Sequence, residues 1–282
     1  MESFAMTVPM IALLSLCVDF PLHHPIFSVF PAIFRVEPNR HSLTAGFSSW
    51  LFYSVVGWVW ETGLNLVLRK KWVDRGILNG PLCPIYGFGA ASVIVLLHDV
   101  DNPIALFLSS GMLACTLEYF SSWAIEKLFH IRLWDYTGKP FNINGRIYLN
   151  GFLAFGIGAA VVKEYVQPWV SDVLDSWQPL TLDILTIIFT LILVTDISLT
   201  LSGLLSFDNR ITQLQRELAQ YEARGRERFD EKFAATEARA RKVLSWQQQR
   251  LIQAFPTMTS VRDSRIMQRV RESMSRHDSR TR

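Results

Sequence analysis

Long runs of apolar residues, rather than a repeating apolar face, are the main pattern along this chain. Four runs hold roughly 20 mostly apolar residues each, the length that a helix needs to cross a ~30 Å hydrocarbon core. A fifth run is shorter and begins inside a stretch rich in proline and glycine. The pattern predicts an all-α, polytopic membrane protein with five transmembrane helices. These spans are predicted at about 46–68, 82–98, 103–127, 147–169 and 181–205.

The N-terminal segment, residues 1–45, contains a further apolar run at 4–20. No basic residue precedes this run and no clear small-x-small cleavage site follows it, so it does not have the features of a secretory signal peptide. Pro9 and Asp19 weaken it as a membrane span. Residues 4–20 are therefore either a sixth transmembrane helix or a helix that lies in the membrane interface.

Basic residues are concentrated on one side of the predicted bundle. The connections at 69–80 and 127–146, together with the region beyond residue 207, contain 25 of the 28 lysines and arginines. Connections rich in Lys and Arg stay on the cytoplasmic side of a membrane. The sequence therefore predicts a multi-pass protein of the inner or plasma membrane with a cytoplasmic C-terminus.

The charge changes sign between two parts of the chain. Residues 1–207 have 11 basic and 15 acidic residues, whereas residues 208–282 have 17 basic and 10 acidic ones. We therefore divide the chain into an N-terminal segment, a membrane core at 46–207, and a basic helix and tail at 208–282. From Asp208 to Phe255 there is no proline, and apolar residues recur at helical spacing. This basic helix either lies on the anionic inner leaflet, docks a partner, or is simply solvated.

Cysteine and histidine give no indication of a metal or redox site. The three cysteines lie in or beside apolar runs without CxxC spacing, which is typical of buried thiols. His23 and His24 have no third ligand at useful spacing. We expect no metal, no cofactor and no nucleic-acid partner.

Among the acidic residues inside the predicted spans, three stand out: Glu61, Glu118 and Asp196. Counted from the inner ends of their spans, they lie about 12 to 15 Å deep, in one layer. Ionisable groups within a membrane are costly and often mark a pathway. The layer is either a proton relay, a cation site or substrate pocket, or a structural knot of hydrogen-bonded carboxyls.

Two connections on the basic side have unusual sequences. The stretch NGPLCPIYGFGA (79–90) places prolines where a helix begins and glycines where neighbours come close. The turn-rich connection at 130–150 is polar and aromatic. Its polar residues, with Arg75 of the facing connection, are candidates for an anion site, unless Arg75–Asp135 or Arg146–Asp74 ion pairs use them. The anion-site candidates are Arg75, Asp135, Asn142, Asn144 and Arg146.

Two long motifs carry a family resemblance. WETGLNLVLRKKWVDRGILNGPLCPIYGFGA and LEYFSSWAIEKLFHIRLWDYTGKPFNINGRIYLNG resemble the bacterial membrane family known as putative ABC-transporter type IV, or putative ABC transporter permease. The resemblance covers about residues 46–170, and Asp74 stands where the family pattern has Asn. Residues 1–45 and 208–282 look like additions to it. Matching positions include Glu61, Arg75, Tyr86, Glu118, Asp135, Asn142 and Arg146.

The resemblance implies a multi-pass membrane protein. Together with the intramembrane acids, it makes a permease-type transport subunit the leading hypothesis, with Glu61, Glu118, Asp196 and Tyr86 as pathway candidates. The chain has no GxxxxGK[ST] motif, so an ATPase would have to come from another chain, and five or six spans suit a permease half that forms a homodimer. The alternative is a membrane-embedded scaffold or regulator that acts through its basic helix. An enzyme acting on lipid-borne substrates through Glu118 or Asp135 is the weakest interpretation, and we predict no enzyme activity.

Overall fold

The computed structural model describes residues 40–70, 72–222 and 244–260. The candidate span at 4–20 lies outside these residues. The chain divides into two compact units, Met1–Leu43 and Thr44–Arg282, and the side-chain contacts that follow belong to the second unit. The described residues are mostly helical, which confirms the all-α prediction.

The helices and strands follow one another in a simple order. The helices are α1 (Arg40–Arg69), α2 (Pro84–Leu96), α3 (Pro103–Phe129), α4 (Leu149–Val161), α5 (Gln167–Asp175), α6 (Pro179–Glu222) and α7 (Trp246–Ala254). A π-helical turn, Val162–Val166, joins α4 to α5. Two short strands, β1 (Ile131–Arg132) and β2 (Thr259–Ser260), pair antiparallel.

Within the described residues, four helical segments are long and apolar enough to cross a membrane. They are Leu43–Leu68, Pro103–Phe129, Leu149–Asp175 and Pro179–Phe207. Each coincides closely with a predicted span. The fifth predicted span corresponds to α2, which has only 13 residues and falls short of that length.

Glycines allow neighbouring helices to pack closely. A methyl group at Gly111 on α3 would lie 2.7 Å from the Phe152 ring on α4, and one at Gly156 would lie 2.8 Å from the carbonyl oxygen of Phe107. The residue earlier on α3 contacts the residue later on α4, and the reverse holds for the other pair, so α3 and α4 run antiparallel. Real Cβ atoms do not approach this closely, and only glycine fits at both positions.

The proline- and glycine-rich stretch reaches deep alongside α1. The Cys83 N–H donates to the Ser54 carbonyl oxygen at 2.9 Å, about 22 Å along α1 from its end at Arg69 by the helical rise. Pro84 then occupies the first turn of α2, where its missing N–H leaves no donor unpaired. Residues 72–83 are thus largely non-helical backbone beside α1, and α2 begins only beyond them.

Residues 244–260 pack against the end of the helix bundle where the connections 72–83 and 130–148 meet, which we refer to as the basic end. The two β-strands join residues 131–132 to residues 259–260 there. A hydrophobic cluster fills the space between α3, α6 and α7. It consists of Phe129, Ile131, Leu133, Leu204, Phe207, Leu244, Leu251, Ile252, Ala254, Phe255 and Met258.

The prediction of one helix from Asp208 to Phe255 is wrong in its C-terminal part. Helix α6 crosses from the apolar to the basic part without a break and extends to Glu222. A new helix then begins after Ser245, whose side chain accepts from the Gln248 N–H while the Gln248 side chain accepts from the Ser245 N–H. This reciprocal cap fixes a helix start, because it satisfies N–H groups that a continuous helix would already have paired.

Candidate functional site

A cluster of ionisable groups forms where α1, α2 and the connection between them meet. The Tyr86 hydroxyl on α2 donates to Glu61 Oε1 on α1 at 2.7 Å, and Arg75 Nη2 lies 3.6 Å from Glu61 Oε2. Tyr86 can approach because its ring packs against Gly57 of α1, where a Cβ atom would collide with it. Glu61 therefore has both a counter-charge and a hydrogen-bond donor.

Glu118 on α3 adjoins this cluster from the other side. Its side chain is buried, with 7% of its surface exposed, and its Oε2 atom has no hydrogen-bond partner among the described residues. Its carboxyl interacts electrostatically with Glu61 and with the hydroxyl of Tyr136. The structure thus brings together Glu61, Glu118 and Tyr86, three of the four predicted pathway residues.

Tyr136, which the sequence did not suggest as a site residue, closes the cluster at the basic end. Burial raises the pKa of its hydroxyl, and the negative charges of Glu118 and Glu61 raise it further, while Arg75 acts in the opposite direction. Its ring centroid lies 4.5 Å from that of Tyr148. Tyr136 stays neutral at physiological pH and offers Glu118 an O–H group.

Asp196, the fourth predicted pathway residue, has a different environment. Its Oδ1 atom accepts from the N–H and the side-chain amide of Asn79 at 2.9 and 2.8 Å, and its Oδ2 atom accepts from the Gly80 N–H at 2.8 Å. Thr200 Oγ1 adds a longer bond of 3.3 Å. Asp196 therefore holds the Asn79–Gly80 turn against α6.

The connection 130–148 is organised around two arginines and one carboxylate. Glu126 Oε2 lies 2.9 Å from Arg146 Nη2 and 3.0 Å from Arg132 Nε. Arg146 is buried and also donates to Ser122 Oγ at 3.1 Å. This arrangement ties the connection to the last turns of α3.

The other anion-site candidates also have partners within the protein. The Asn142 amide donates to the carbonyl oxygens of Thr137 and Lys139, and Asn144 donates to the Tyr119 hydroxyl at 2.9 Å. Although partial burial acts to raise the pKa of Asp135, hydrogen bonds from Thr137 and the charge of Arg132 lower it below its ordinary value.

The partners also differ from the two ion pairs considered from the sequence. Arg75 faces Glu61, and Arg146 faces Glu126. Asp74 accepts from Arg250 at 2.7 Å and from the Trp58 indole N–H at 2.7 Å. An anion site at these residues stays a prediction, and an incoming anion would have to compete with these internal contacts.

Arg250 is a structural residue that no sequence motif singles out. Its guanidinium is buried and donates to Asp74 Oδ2 at 2.7 Å, and to the carbonyl oxygens of Gly76, Ile77 and Leu78 at 3.0, 3.1 and 2.7 Å. It therefore binds four acceptors of the connection 72–83, three of them successive carbonyl oxygens. The one local signal was the Ser245-x-x-Gln248 pattern, which indicates a helix start just before it.

Helix α7 is linked to the ionisable cluster through a single side chain. Arg75 faces Glu61 and also donates to the carbonyl oxygen of Ala254, near the end of α7. Its guanidinium lies over the Phe255 ring, 5.4 Å from the centroid. The contacts of residues 244–260 thus reach a carboxylate within α1.

A cavity of about 220 Å³ lies elsewhere, between α1, α2 and α5. Trp50, Tyr53 and Gln167 line it, and the Tyr53 hydroxyl donates to Gln167 Oε1 at 2.9 Å. None of the predicted pathway residues is part of its lining. The cavity and the ionisable cluster are therefore separate features of the described structure.

Comparison with known proteins identifies the chain by family. No curated protein and no solved structure matches it. A family model described as "Putative ABC-transporter type IV" matches residues 48–201, more than half of the chain. The match runs from α1 into α6 and includes Glu61, Tyr86, Glu118 and Asp196, whereas α7 lies beyond it. The chain belongs to the family described as putative ABC-transporter type IV.

Proposed function

We propose that this chain is a permease-type subunit of a membrane transporter, with a pathway that passes the Glu61–Tyr86–Glu118 cluster. The observation that carries the proposal is the convergence of ionisable side chains from α1, α2 and α3 within apolar helices. Such groups are costly in a membrane, and they usually face a bundle interior or a water-filled path. The family assignment and the four apolar helices support the same function.

We infer five membrane crossings in the core, the second of them composite. Helix α2 runs antiparallel to α1 and covers only about 20 Å at the helical rise. Residues 72–83 supply the rest of the crossing, as the bond from the Cys83 N–H to Ser54 supports. Non-helical backbone at that depth is tolerated where protein satisfies it, and Asp196 and Arg250 bind it here.

We infer that the basic end faces the cytoplasm. Residues 244–260 contact both connections of that end, so these regions share one side, and this agrees with the concentration of basic residues. The C-terminus would then be cytoplasmic, in the inner or plasma membrane. We expect an ATPase from another chain to dock at this end, a homodimer of the membrane subunit, and no enzyme activity of the chain itself.

The test is a pull-down from native membranes in mild detergent, with wild type and the Glu61→Gln/Glu118→Gln double variant. Glu164→Gln is the matched control, since Glu164 is half exposed and pairs only at 4.0 Å with Lys163. We expect an ABC-type ATPase to co-purify with all three forms, because the acids serve the pathway rather than assembly. If no ATPase accompanies any form, the permease proposal loses its main support.

A scaffold or regulator acting through the basic C-terminal region is the second candidate. The structure limits which residues of this region a partner could bind, because the apolar face of α7 and Arg250 already contact the membrane core of the same chain. Deleting residues 208–282 would therefore expose Leu204 and Phe207 and damage the core itself. Deleting only residues 261–282, or replacing the exposed Arg216, is the cleaner test. A scaffold loses its partner in these variants, whereas a permease retains its ATPase.

A further inference from the structure

Four acids of the described residues, of which Glu118 is buried and the others partly buried, differ in what compensates their charge. Glu61 has Arg75 and the Tyr86 hydroxyl. Glu126 has two arginines, and Asp196 accepts two backbone N–H groups and an amide. Only 7% of the surface of Glu118 is exposed, yet no described group donates a hydrogen bond to its Oε2 atom.

Burial and the charge of Glu61 oppose a negative charge on Glu118, whereas a hydrogen bond from the Tyr136 hydroxyl favours one. The titratable or charged groups that face it are Glu61 on α1, Tyr86 on α2, Cys115 on its own helix and Tyr136 in the following connection. Arg75, the cation of the cluster, is engaged by Glu61 and by the carbonyl oxygen of Ala254. An ionised carboxyl that is buried without a paired counter-charge is strongly unfavourable, and such a group becomes neutral instead.

We propose that Glu118 is a proton-binding site: a carboxylic acid that is neutral at rest and exchanges one proton towards the basic end. Tyr136 is its positioning residue, because its hydroxyl lies against the carboxyl on that side. The proton binds Glu118 directly, and no other reactant is needed. That this proton is the coupling ion of transport rests on the proposed function, whereas its binding to Glu118 does not.

Gly151 provides a way to probe this acid without removing it. A Cβ atom at Gly151, in the first turn of α4, would lie 3.5 Å from Glu118 Oε2, an ordinary contact distance. A serine there would bring a hydroxyl within reach of the unpartnered oxygen. Gly151→Ser therefore adds a hydrogen bond to the acid, while Gly151→Ala adds only the methyl group.

The experiment is infrared difference spectroscopy of the full-length protein in lipid bilayers, scanned from low to high pH. At neutral pH, wild type is expected to have a C=O band of a protonated carboxylic acid that Glu118→Gln lacks. Glu61→Gln should retain the band, and Gly151→Ser should shift it while Gly151→Ala does not. The shift depends on the folded site, so it remains informative if Glu118→Gln folds poorly.

Two results would overturn the proposal. One is a wild-type spectrum at neutral pH with no protonated-acid band that depends on Glu118. The other is a band that disappears when sodium ions are added at constant pH, since this would make the site one for a metal cation. Neither readout requires transport or an ATPase, so a failure here is distinguishable from failure of the proposed function.

Discussion

Asp196 and Glu118 look alike in the sequence, and they have opposite environments in the structure. Both are acids within long apolar helical segments, at similar distances from the ends of those segments at Phe129 and Phe207. Both oxygens of Asp196 accept hydrogen bonds from the Asn79–Gly80 turn, whereas Glu118 Oε2 has no donor among the described residues. The depth of an acid in a membrane thus does not identify its role, since the segment packed against it decides whether its charge is satisfied.

The difference also separates two tasks within one bundle. Asp196 stabilises the non-helical backbone of residues 72–83 by supplying the acceptors that a helix would otherwise have supplied. Glu118 faces the Glu61 carboxyl and the Tyr136 hydroxyl, and no cation pairs with it among the described residues. One acid therefore supports the fold and the other is available for protonation.

The largest effect is expected from Asp196→Ala. It would leave the N–H groups of Asn79 and Gly80 without an acceptor and the Asn79 amide with only a 3.4 Å bond to Thr200 Oγ1, at roughly 1–3 kcal/mol for each unpaired group. The temperature of thermal unfolding in detergent should fall markedly for this variant. It should change little for Glu118→Gln, because glutamine has the shape of a neutral glutamic acid. Exposed Asp172→Ala is the control. Equal losses in Asp196→Ala and Glu118→Gln would break the comparison.

Arg250→Ala tests the second support of the segment that Asp196 holds. It removes the donor to Asp74 and three carbonyl oxygens, and breaking a buried pair costs about 3 kcal/mol or more. Residues 72–83 should loosen, and labelling of the buried Cys83 by a polar maleimide should rise several-fold. Mass spectrometry of the labelled peptide would measure it.

The matched control for this variant is Trp246→Ala, because Trp246 lies on the same helix and is 71% exposed. It should leave Cys83 as protected as in wild type. If Arg250→Ala also leaves the labelling of Cys83 unchanged, then α7 does not restrain the connection, and Asp196 alone supports it.

Gly57→Ala acts on the packing that brings Tyr86 to Glu61. The added methyl group would collide with the Tyr86 ring, and overpacking of this kind costs about 1–3 kcal/mol. We expect a lower unfolding temperature than in Gly63→Ala, the control, where the space around the Cβ position is open. Equal unfolding temperatures in the two variants would show that α2 can move away from the added methyl group without a loss of stability.

The smallest effect is expected from Tyr86→Phe, which removes the 2.7 Å hydrogen bond to Glu61. A hydrogen bond to a charged group contributes about 1.5–3 kcal/mol to stability. The loss here is smaller, because Arg75 still faces Glu61 in the variant. The unfolding temperature in detergent should therefore fall by less than in the other variants. Tyr165→Phe, at an exposed tyrosine, is the control and should leave the unfolding temperature unchanged.

Four of the predicted spans agree with the structure because span length is a local property of composition. The second span could not be delimited in the same way. Its half nearer the basic end is backbone whose hydrogen bonds go to Ser54, Asp196 and Arg250, and no spacing within residues 72–83 indicates those partners. Similarly, the absence of proline from Asp208 to Phe255 favoured one helix. The capping box at Ser245 instead begins a separate helix, α7, whose apolar side chains pack in the hydrophobic cluster.

The sequence by itself determined the four long apolar helices, the concentration of positive charge on one set of connections, and the presence of costly acids within the helices. Each follows from residues that are neighbours along the chain. Only the tertiary structure decided which acid is satisfied and where Arg250 binds. Asp196 accepts a hydrogen bond from Asn79, 117 positions earlier in the chain, and Arg250 donates one to Leu78, 172 positions earlier. The stability of a buried charge depends on partners that folding brings to it.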